Sequence, residues 1–197
     1  NVRLAASLIG RTDYALTELA PRIGLVRTKP LEPRWAALLD RSRFNLLLQP
    51  MTRGSVPPWP LDRFAQLIAA LGPERYRVFI TGSEQEGQAL RPWLATLPAH
   101  VTDVMGQSLD QLISFARAAD GMVAASTGPL HIAAALGRRA LGLYPAAATR
   151  PPVRWSPLGE QAEMILAPTA PAAPDARNSI EGIQVSAVLA VVERWWS

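Results

Sequence analysis

Hydrophobic positions along the chain follow two spacings that alternate with each other. Short continuous apolar runs bounded by Pro, Gly or Asp are typical of strands that are buried on both faces of a sheet. The clearest run, Asn-Leu-Leu-Leu-Gln, stops at Pro50, which cannot donate to a strand ladder. The predicted strands cover residues 45–49, 76–81, 101–104, 121–125 and 140–144.

Between these runs, apolar residues recur every three or four positions, which is the period of a helix with one buried face. Residues 61–71 show this period best, with Pro60 at the start and Gly72-Pro73 at the end. Ser108 is placed to cap the helix that follows it. The predicted helices cover residues 61–71, 84–97, 109–119, 129–136 and 183–196.

The alternation of strands and helices predicts an α/β fold, in which a Rossmann-like parallel sheet is flanked by helices. We expect residues 78–81, 121–125 and 141–144 to be neighbouring parallel strands. Ligands of such sheets bind beyond the carboxyl ends of the strands. The candidate site is therefore formed by the loops that follow the strands, at residues 50–60, 82–86, 105–108 and 126–130.

Two segments depart from this pattern. Residues 145–179 are rich in Pro and Ala and predict a long irregular loop. Residues 1–43 contain apolar runs that fit the alternation less well, and residues 30–33 resemble a linker. We therefore divide the chain into residues 1–43, the tail of a preceding acceptor domain with its linker, and residues 44–197, the sheet domain.

Composition narrows the class of protein. The 197-residue chain is 49% hydrophobic, enough for a sizeable core, but it has no apolar run of the length that crosses a membrane. The absence of cysteine excludes disulfides and thiolate metal sites, and two histidines are too few for a multi-histidine site. We expect a soluble globular protein without a bound metal. Because the chain begins at Asn1 without a methionine or a signal segment, we expect it to be a piece of a longer protein.

The net charge is +4, and every basic residue except Lys29 is an arginine. The arginines are scattered rather than grouped in a stripe, which argues against a nucleic-acid surface. A scattered excess of positive charge suits anionic ligands or an anionic membrane face. A general preference for Ala, Arg and Pro in the source genome would explain the same composition without any binding role.

Residues 126–135, Ser-Thr-Gly-Pro-Leu-His-Ile-Ala-Ala-Ala, carry the most specific chemistry. A strand enters a turn of small residues and then a helix, whose first N–H groups have no partner within the helix and attract phosphate. Thr127 adds a hydroxyl, Pro129 stands where a missing N–H costs nothing, and His131 lies one turn into the helix, where it can face the same pocket. The structural alternative is a capped helix with His131 packed against a loop.

This stretch, continued to Gly137, resembles the signature of glycosyltransferase family nine, the ADP-heptose lipopolysaccharide heptosyltransferases. Further segments resemble that family in the same order and spacing: residues 49–64 with the Trp59-Pro60 pair, residues 80–86, residues 107–109 and residues 154–159. The resemblance covers residues 44–196. It implies the C-terminal, donor-binding domain of a GT-B glycosyltransferase, in which two Rossmann-like domains face a cleft.

The resemblance also implies a donor site, and it assigns the catalytic base to the preceding domain. Residues 80–86 would bring a carboxylate, Glu86, to the ribose, residues 107–109 would line the adenine, and the signature turn would meet the diphosphate and the sugar. Glu86 also has a purely structural explanation, because an acidic side chain at a helix start is favoured by the helix dipole. The implied donor-binding residues are Thr52, Arg53, Glu86, Gln107, Ser108, Leu109, Ser126, Thr127, Gly128, Pro129, Leu130 and His131.

Two positions depart from the family pattern. Many relatives carry an acidic residue at the position of Ser126. Many also carry a lysine two residues before the Trp-Pro pair, where this chain has Pro57. Arg53 is the nearest cation that can replace this lysine beside the diphosphate, whose charge grows as it leaves.

The implied function is inverting, metal-independent transfer of a heptose or related sugar from an ADP-sugar to a lipopolysaccharide core acceptor. The ADP-sugar is a substrate, and no cofactor is expected. The other expected partner is the preceding domain, and no nucleic acid is expected. The expected location is the cytoplasm, with peripheral contact to the inner face of the bacterial inner membrane allowed. Two alternatives stay open: a UDP- or GDP-sugar donor on the same fold, and a non-catalytic member with a degenerate site.

Overall fold

A computed structural model describes residues 14–52, 57–146, 155–168 and 179–196, together with Gly10 and Gly54. In these ranges one sheet has the strand order β3-β2-β1-β4-β5-β6, and every neighbouring pair is parallel. The predicted α/β fold with a parallel sheet is confirmed. The strands are β1 (Phe44–Gln49), β2 (Tyr76–Ile80), β3 (Val101–Asp103), β4 (Gly121–Ala125), β5 (Arg139–Tyr144) and β6 (Ala162–Leu166).

Helices connect and cover the strands close to the predicted positions, although the second predicted helix ends at Leu94 rather than at residue 97. Ser108 caps its helix as expected, because its hydroxyl accepts the N–H of Gln111. No helix in the described ranges is long and apolar enough to cross a bilayer. The helices are α1 (Leu16–Leu19), α2 (Pro33–Ala36), α3 (Leu61–Ala70), α4 (Glu84–Leu94), α5 (Leu109–Ala118), α6 (Gly128–Ala135) and α7 (Val185–Trp196), with a 3-10 turn at Ala20–Arg22.

The sheet has a hydrophobic core on each face, which explains the unbroken apolar run in β1. Leu46 and Leu48 belong to the core shared with α3 and α7, whereas Leu47 points to the opposite core, under α5 and α6. All three side chains are at most 1% exposed. Burial of a leucine contributes about 1.5–3 kcal/mol, so a polar residue on either face of β1 would be destabilising.

The order of the strands differs from the expectation in one respect. β4 and β5 are neighbours as predicted, but β2 and β4 are not, because β1 lies between them. After β3 the chain crosses back over the sheet and adds β4 on the other side of β1. The order of the strands therefore reverses between β1 and β4, and an apolar run by itself carries no information about this crossover.

The expectation of an irregular loop over residues 145–179 is wrong for Ala162–Leu166, which forms β6 and pairs with β5. β6 has one neighbour in the described sheet, and its Met164 and Leu166 are exposed. A strand at the edge is not buried on both faces, so it lacks the continuous apolar run that marks the central strands. Residues 147–154 and 169–178 lie outside the described ranges.

Two further segments are fixed by side-chain contacts. In α7 the buried residues include Val188, Val192 and Trp195, and the ring of Trp195 packs so closely on Gly121 that a Cβ there would lie 2.9 Å from it. Trp196, the last residue of α7, is 42% exposed. The stretch expected to be a linker is bound to α5, because the Gln111 amide donates to the carbonyl of Pro30 and accepts the N–H of Glu32.

Candidate functional site

A cavity of about 440 Å³ lies beyond the carboxyl ends of β1, β2 and β4. This is where the strand order reverses, and parallel α/β sheets bind ligands at such a point. The cavity is lined by residues from three of the four loops that the sequence indicated, and no described residue of the first loop, residues 50–60, is among them. The lining residues are Gln49, Thr81, Gly82, Ser83, Glu86, Gln107, Leu109, Leu112, Ser126, Thr127, Gly128, Pro129 and Ile132.

The signature turn forms one wall of the cavity and leaves the start of α6 open. Thr127 is the N-cap residue, but its side chain makes no capping bond. Its hydroxyl donates instead to Oε1 of Gln49 at 2.8 Å. Gly128 does not adopt a positive φ, and a Cβ at this position would meet no atom within 4 Å. The first turn of α6 therefore faces open space with N–H groups that the Thr127 side chain does not use.

Leu130 and His131 are not brought into the cavity, although both were expected at the donor. Leu130 is fully buried in the core under α5 and α6. His131 is partly buried, and it is absent from the described residues that line the cavity. Burial lowers the pKa of His131, so its imidazole is neutral near pH 7. The structure thus gives His131 a position beside the lining rather than in it.

Glu86 lines the cavity, and its carboxylate also stabilises the start of α4. Oε2 of Glu86 accepts hydrogen bonds from the backbone N–H and the hydroxyl of Ser83, at 2.6 and 2.9 Å. The Ser83 hydroxyl in turn accepts the N–H of Glu86, which completes a capping box. The structural explanation for Glu86 is therefore present, and the carboxylate is held at the cavity by the same contacts.

Gln107 presents an unsatisfied amide at the opposite wall. Both Oε1 and Nε2 are buried without a hydrogen-bond partner among the described residues. Gly106 positions the segment, since its N–H donates to the carbonyl of Gly82 and its φ is 70°. A buried amide without partners is costly, which makes Gln107 the strongest candidate for a polar contact with a ligand.

Apolar side chains flank this amide. Leu109 is 64% exposed, and Leu112 and Ile132 also line the cavity. Apolar side chains beside a hydrogen-bonding group suit a heterocyclic base, whose faces are apolar and whose edge is polar. Ser108 does not line the cavity because its hydroxyl is used to cap α5.

Ser126 connects the signature turn to a neighbouring strand. It shares a side-chain hydrogen bond with Tyr144, at the end of β5, and Tyr144 donates to the carbonyl of Trp155 at 2.6 Å. The position at which many relatives carry an acidic residue is therefore held by a neutral, hydrogen-bonded serine.

The cationic partner expected in the first loop is not described. Arg53 lies outside the described residues, and Thr52, which is described, is not among the lining residues. Trp59 of the Trp-Pro pair is a core residue: it is 1% exposed, and its Nε1 donates to the carbonyl of Ile183. Among the described lining residues, Glu86 is the one that carries a formal charge. Within the described ranges, no three His, Asp or Glu side chains are grouped to hold a metal ion.

The sequence did not single out several of the lining residues as donor-binding. A usable signal existed for Gln49, because a glutamine that ends an apolar central strand is placed at the carboxyl edge of the sheet. The others are small or apolar residues whose neighbours resemble many ordinary loops and helices. These residues are Thr81, Gly82, Ser83, Leu112 and Ile132.

The comparison with protein families decides the class of this protein. The model of glycosyltransferase family 9 (heptosyltransferase) matches residues 1–182. The chain belongs to glycosyltransferase family 9. The predicted family is therefore confirmed, and the chain is similar to transferases of this family.

Individual members of family 9 agree with this assignment. Lipopolysaccharide heptosyltransferase 2 of Escherichia coli is 32% identical over 96 residues, which are 46% of this chain and 28% of that protein. The structure of E. coli ADP-heptose lps heptosyltransferase II superimposes with a TM-score of 0.68 at 24% identity. The match covers 85% of this chain and 52% of the E. coli chain.

The structure of E. coli heptosyltransferase WaaC with ADP superimposes with a TM-score of 0.64 at 20% identity. The match covers 82% of this chain and 47% of the WaaC chain. These likenesses place the sheet in the GT-B heptosyltransferase fold. The chain therefore spans about half the length of these two structures. It spans 28% of the curated E. coli relative.

Proposed function

We propose that the cavity binds an ADP-sugar, and that the protein transfers its heptose or a related sugar to a lipopolysaccharide core acceptor. The observation that carries this proposal is the pairing of the unpartnered Gln107 amide with the open start of α6 across one cavity. One feature suits a base and the other suits a phosphate. The names of the similar proteins, an ADP-heptose heptosyltransferase and a heptosyltransferase with ADP, support the choice of nucleotide.

The base would lie at the Gln107 end of the cavity. A glutamine amide offers a donor and an acceptor side by side, which match N6 and N7 of adenine. Leu109, Leu112 and Ile132 would cover the faces of the ring. Ser83 and Glu86 would then stand near the ribose, where a carboxylate accepts hydrogen bonds from hydroxyl groups.

The diphosphate would lie over the signature turn. N–H groups at the start of α6 would donate to its oxygens, and the helix dipole would favour its negative charge. During transfer the bond between the sugar C1 and the phosphate oxygen breaks, and the oxygen retains the electron pair. The same N–H groups would stabilise the charge that develops there. Ser126 would contact the sugar by a neutral hydrogen bond.

The reaction would be an inverting displacement without a metal ion, in which the acceptor hydroxyl loses its proton to a base as it attacks the sugar. We assign that base to the preceding domain of the GT-B pair, and we expect this chain by itself to bind the donor without turnover. The ADP-sugar is the substrate in this scheme, and no cofactor enters it. A lipopolysaccharide acceptor would bring the protein to the cytoplasmic face of the inner membrane.

Two alternatives retain specific support. The amide of Gln107 can rotate to match uracil, which also presents a donor beside an acceptor, and this supports a UDP-sugar donor. Pro57 and Ser126 replace charged residues of many relatives, which supports a non-catalytic member. The first alternative changes the base that is bound, and the second removes transfer.

Calorimetric titration with ADP, UDP and GDP separates these possibilities. We expect ADP to bind more tightly than UDP or GDP. The Gln107→Leu variant, which keeps the volume and removes both polar groups, is expected to lose about tenfold in ADP affinity, the equivalent of one net hydrogen bond. Tighter binding of UDP or GDP would contradict the ADP assignment. Binding of none of the three would contradict the proposed function, and donor binding without transfer by the full-length protein would favour the non-catalytic alternative.

A further inference from the structure

Gln49 is a buried polar residue at the end of the central strand, and one end of its side chain is already committed. It is 8% exposed, and its Oε1 accepts the hydrogen bond from Thr127 at 2.8 Å. In the structure Oε1 is the branch that faces the Thr127 hydroxyl, so Nε2, the donor of the amide, is the branch that does not make this bond. Gln49 also lines the cavity. A ligand in the cavity would therefore meet Gln49 through the N–H donors of Nε2.

Thr127 holds Gln49 with a hydroxyl that would ordinarily serve its own helix. A threonine at the N-cap usually accepts the N–H of the second or third helical residue. The second residue here is Pro129, which has no N–H, and the Thr127 side chain caps neither position. The hydroxyl therefore bridges the ends of β4 and β1. Gln49 on β1 and the first turn of α6 therefore line the same cavity from two elements of the fold.

The charges of the described lining favour this role. Glu86 is the charged residue there, and its Oε2 is engaged with Ser83. An anion at this wall would be recognised by neutral N–H groups, which bind phosphate oxygens strongly when they are held in place.

We propose that Gln49 donates from Nε2 to a phosphate oxygen of the bound nucleotide diphosphate, opposite the start of α6, and that Thr127 is the positioning residue that orients the amide for this contact. The inference rests on the proposed function, because it needs a nucleotide diphosphate in the cavity. It adds a binding residue on β1, outside the signature turn, and it gives Thr127 a role distinct from that of its backbone.

The first test is calorimetric titration of ADP into the wild type, Gln49→Glu and Gln49→Met. Glutamate keeps the shape and the acceptor for Thr127 but replaces the donor by a negative charge, and methionine removes the donor without adding charge. We expect the Kd to rise about tenfold to hundredfold in Gln49→Glu and about tenfold in Gln49→Met. The methionine variant answers the question if the glutamate variant does not fold.

The matched control is Gln111→Glu. Gln111 is also a buried glutamine, but its amide binds Pro30 and Glu32 away from the cavity. This variant is expected to lower the Tm and to leave the Kd for ADP unchanged. An unchanged Kd in both Gln49 variants would overturn the inference, as would an equal rise in Gln111→Glu.

The second test addresses Thr127. Thr127→Ser keeps the hydroxyl and is expected to bind ADP within about twofold of the wild type, whereas Thr127→Val should weaken binding by about three- to tenfold. In a Gln49→Met background, Thr127→Val should have no further effect, because no amide is left to orient. An equal effect of Thr127→Val in both backgrounds would overturn the positioning role.

The controls also separate this inference from the proposed function. A wild type that binds none of ADP, UDP and GDP contradicts both. A wild type that binds ADP, together with Gln49 variants that bind it equally well, contradicts only the inference.

Discussion

The hydroxyl of Tyr144 donates a 2.6 Å hydrogen bond to the backbone carbonyl of Trp155. Tyr144 ends β5, next to β4, and it shares a second hydrogen bond with Ser126 in the signature turn. Burial raises the pKa of Tyr144, and the Ser126 bond offsets part of the rise. The phenol therefore stays protonated and links the signature turn to the segment that begins at Trp155.

Removal of this hydroxyl in Tyr144→Phe should lower the free energy of unfolding by about 1–3 kcal/mol, the net value of its two hydrogen bonds. The pH dependence of the free energy of unfolding should change as well. Because the pKa of Tyr144 in the folded protein is raised above the unfolded value near 10, the protonated phenol contributes its full stabilisation below about pH 10. This stabilisation is lost as the pH rises through the folded pKa.

Urea unfolding at about pH 8 and at higher pH checks both expectations. The loss of stability above about pH 10 should be smaller in Tyr144→Phe than in the wild type. The pKa of Tyr76 is also raised by burial, so part of the loss should remain. Identical pH dependence in the two proteins would show that Tyr144 is not the group that titrates.

Gly128→Val should abolish ADP binding and leave the fold largely intact. A Cβ at Gly128 meets no protein atom within 4 Å, and Gly128 has no positive φ, so the protein itself tolerates a side chain. The valine would instead fill the space through which phosphate approaches the start of α6. We expect a loss of ADP affinity of at least about hundredfold and a change in the free energy of unfolding of about 1 kcal/mol or less.

Gly72→Val is the control for this substitution, because Gly72 also has open space around it and lies outside the cavity lining. ADP titration and thermal unfolding of both variants provide the measurement. ADP binding by Gly128→Val at wild-type affinity would place the diphosphate away from residues 127–130.

Arg53→Ala should weaken ADP binding by about 1.5–3 kcal/mol, the range for a hydrogen bond to a charged group. The sequence motivates this prediction, because the family resemblance implies a lysine at the position of Pro57 and no lysine follows Lys29. Calorimetry on Arg53→Ala and on Arg75→Ala compares the removal of the same charge at two places. Arg75 is exposed and immediately precedes β2, so it lies at the amino ends of the strands, whereas the cavity lies at their carboxyl ends. Equal affinity for ADP in the wild type and in Arg53→Ala would show that Arg53 does not contact the diphosphate.

His131 should make the protein less stable in mild acid. Burial lowers its pKa, so below the unfolded value near 6.5 the unfolded chain takes up a proton that the folded chain does not. The stability that depends on the neutral imidazole of His131 is fully present above about pH 6.5, and it is lost as the pH falls through the folded pKa of His131. Urea unfolding at neutral and mildly acidic pH should show a smaller loss in His131→Gln than in the wild type.

The pKa of His100 is lowered by burial and by Arg77 and Arg43. His100→Gln should therefore also reduce the loss of stability in mild acid, independently of His131→Gln. His131→Ala is expected to leave ADP affinity unchanged, since His131 is absent from the described cavity lining. A weaker affinity for ADP in this variant would instead assign the imidazole to the nucleotide.

The central strands and the capped helices could be predicted because short-range spacing reports how each is buried. Leu46, Leu47 and Leu48 are all apolar because β1 is covered on both faces. Ser108 needs only the N–H of Gln111, three residues away, to begin α5. β6 was not predicted because its sequence has no continuous apolar run and lies in a segment rich in Pro and Ala. The separation of β2 from β4 by β1 depends on a crossover that no local pattern records.

The sequence by itself determined the strand, turn and helix at residues 121–135, because the small residues and Pro129 act on their immediate neighbours. Only the tertiary structure decided which side chains meet in the cavity. Gln49 and Thr127 are 78 positions apart and meet because β1 and β4 are adjacent strands that end at the same edge. His131 is absent from the described cavity lining, and α6 packs on β5 and α5, so tertiary contacts set the rotation of α6 about its axis. That rotation depends on contacts between distant segments, which the spacing of residues within one helix does not contain.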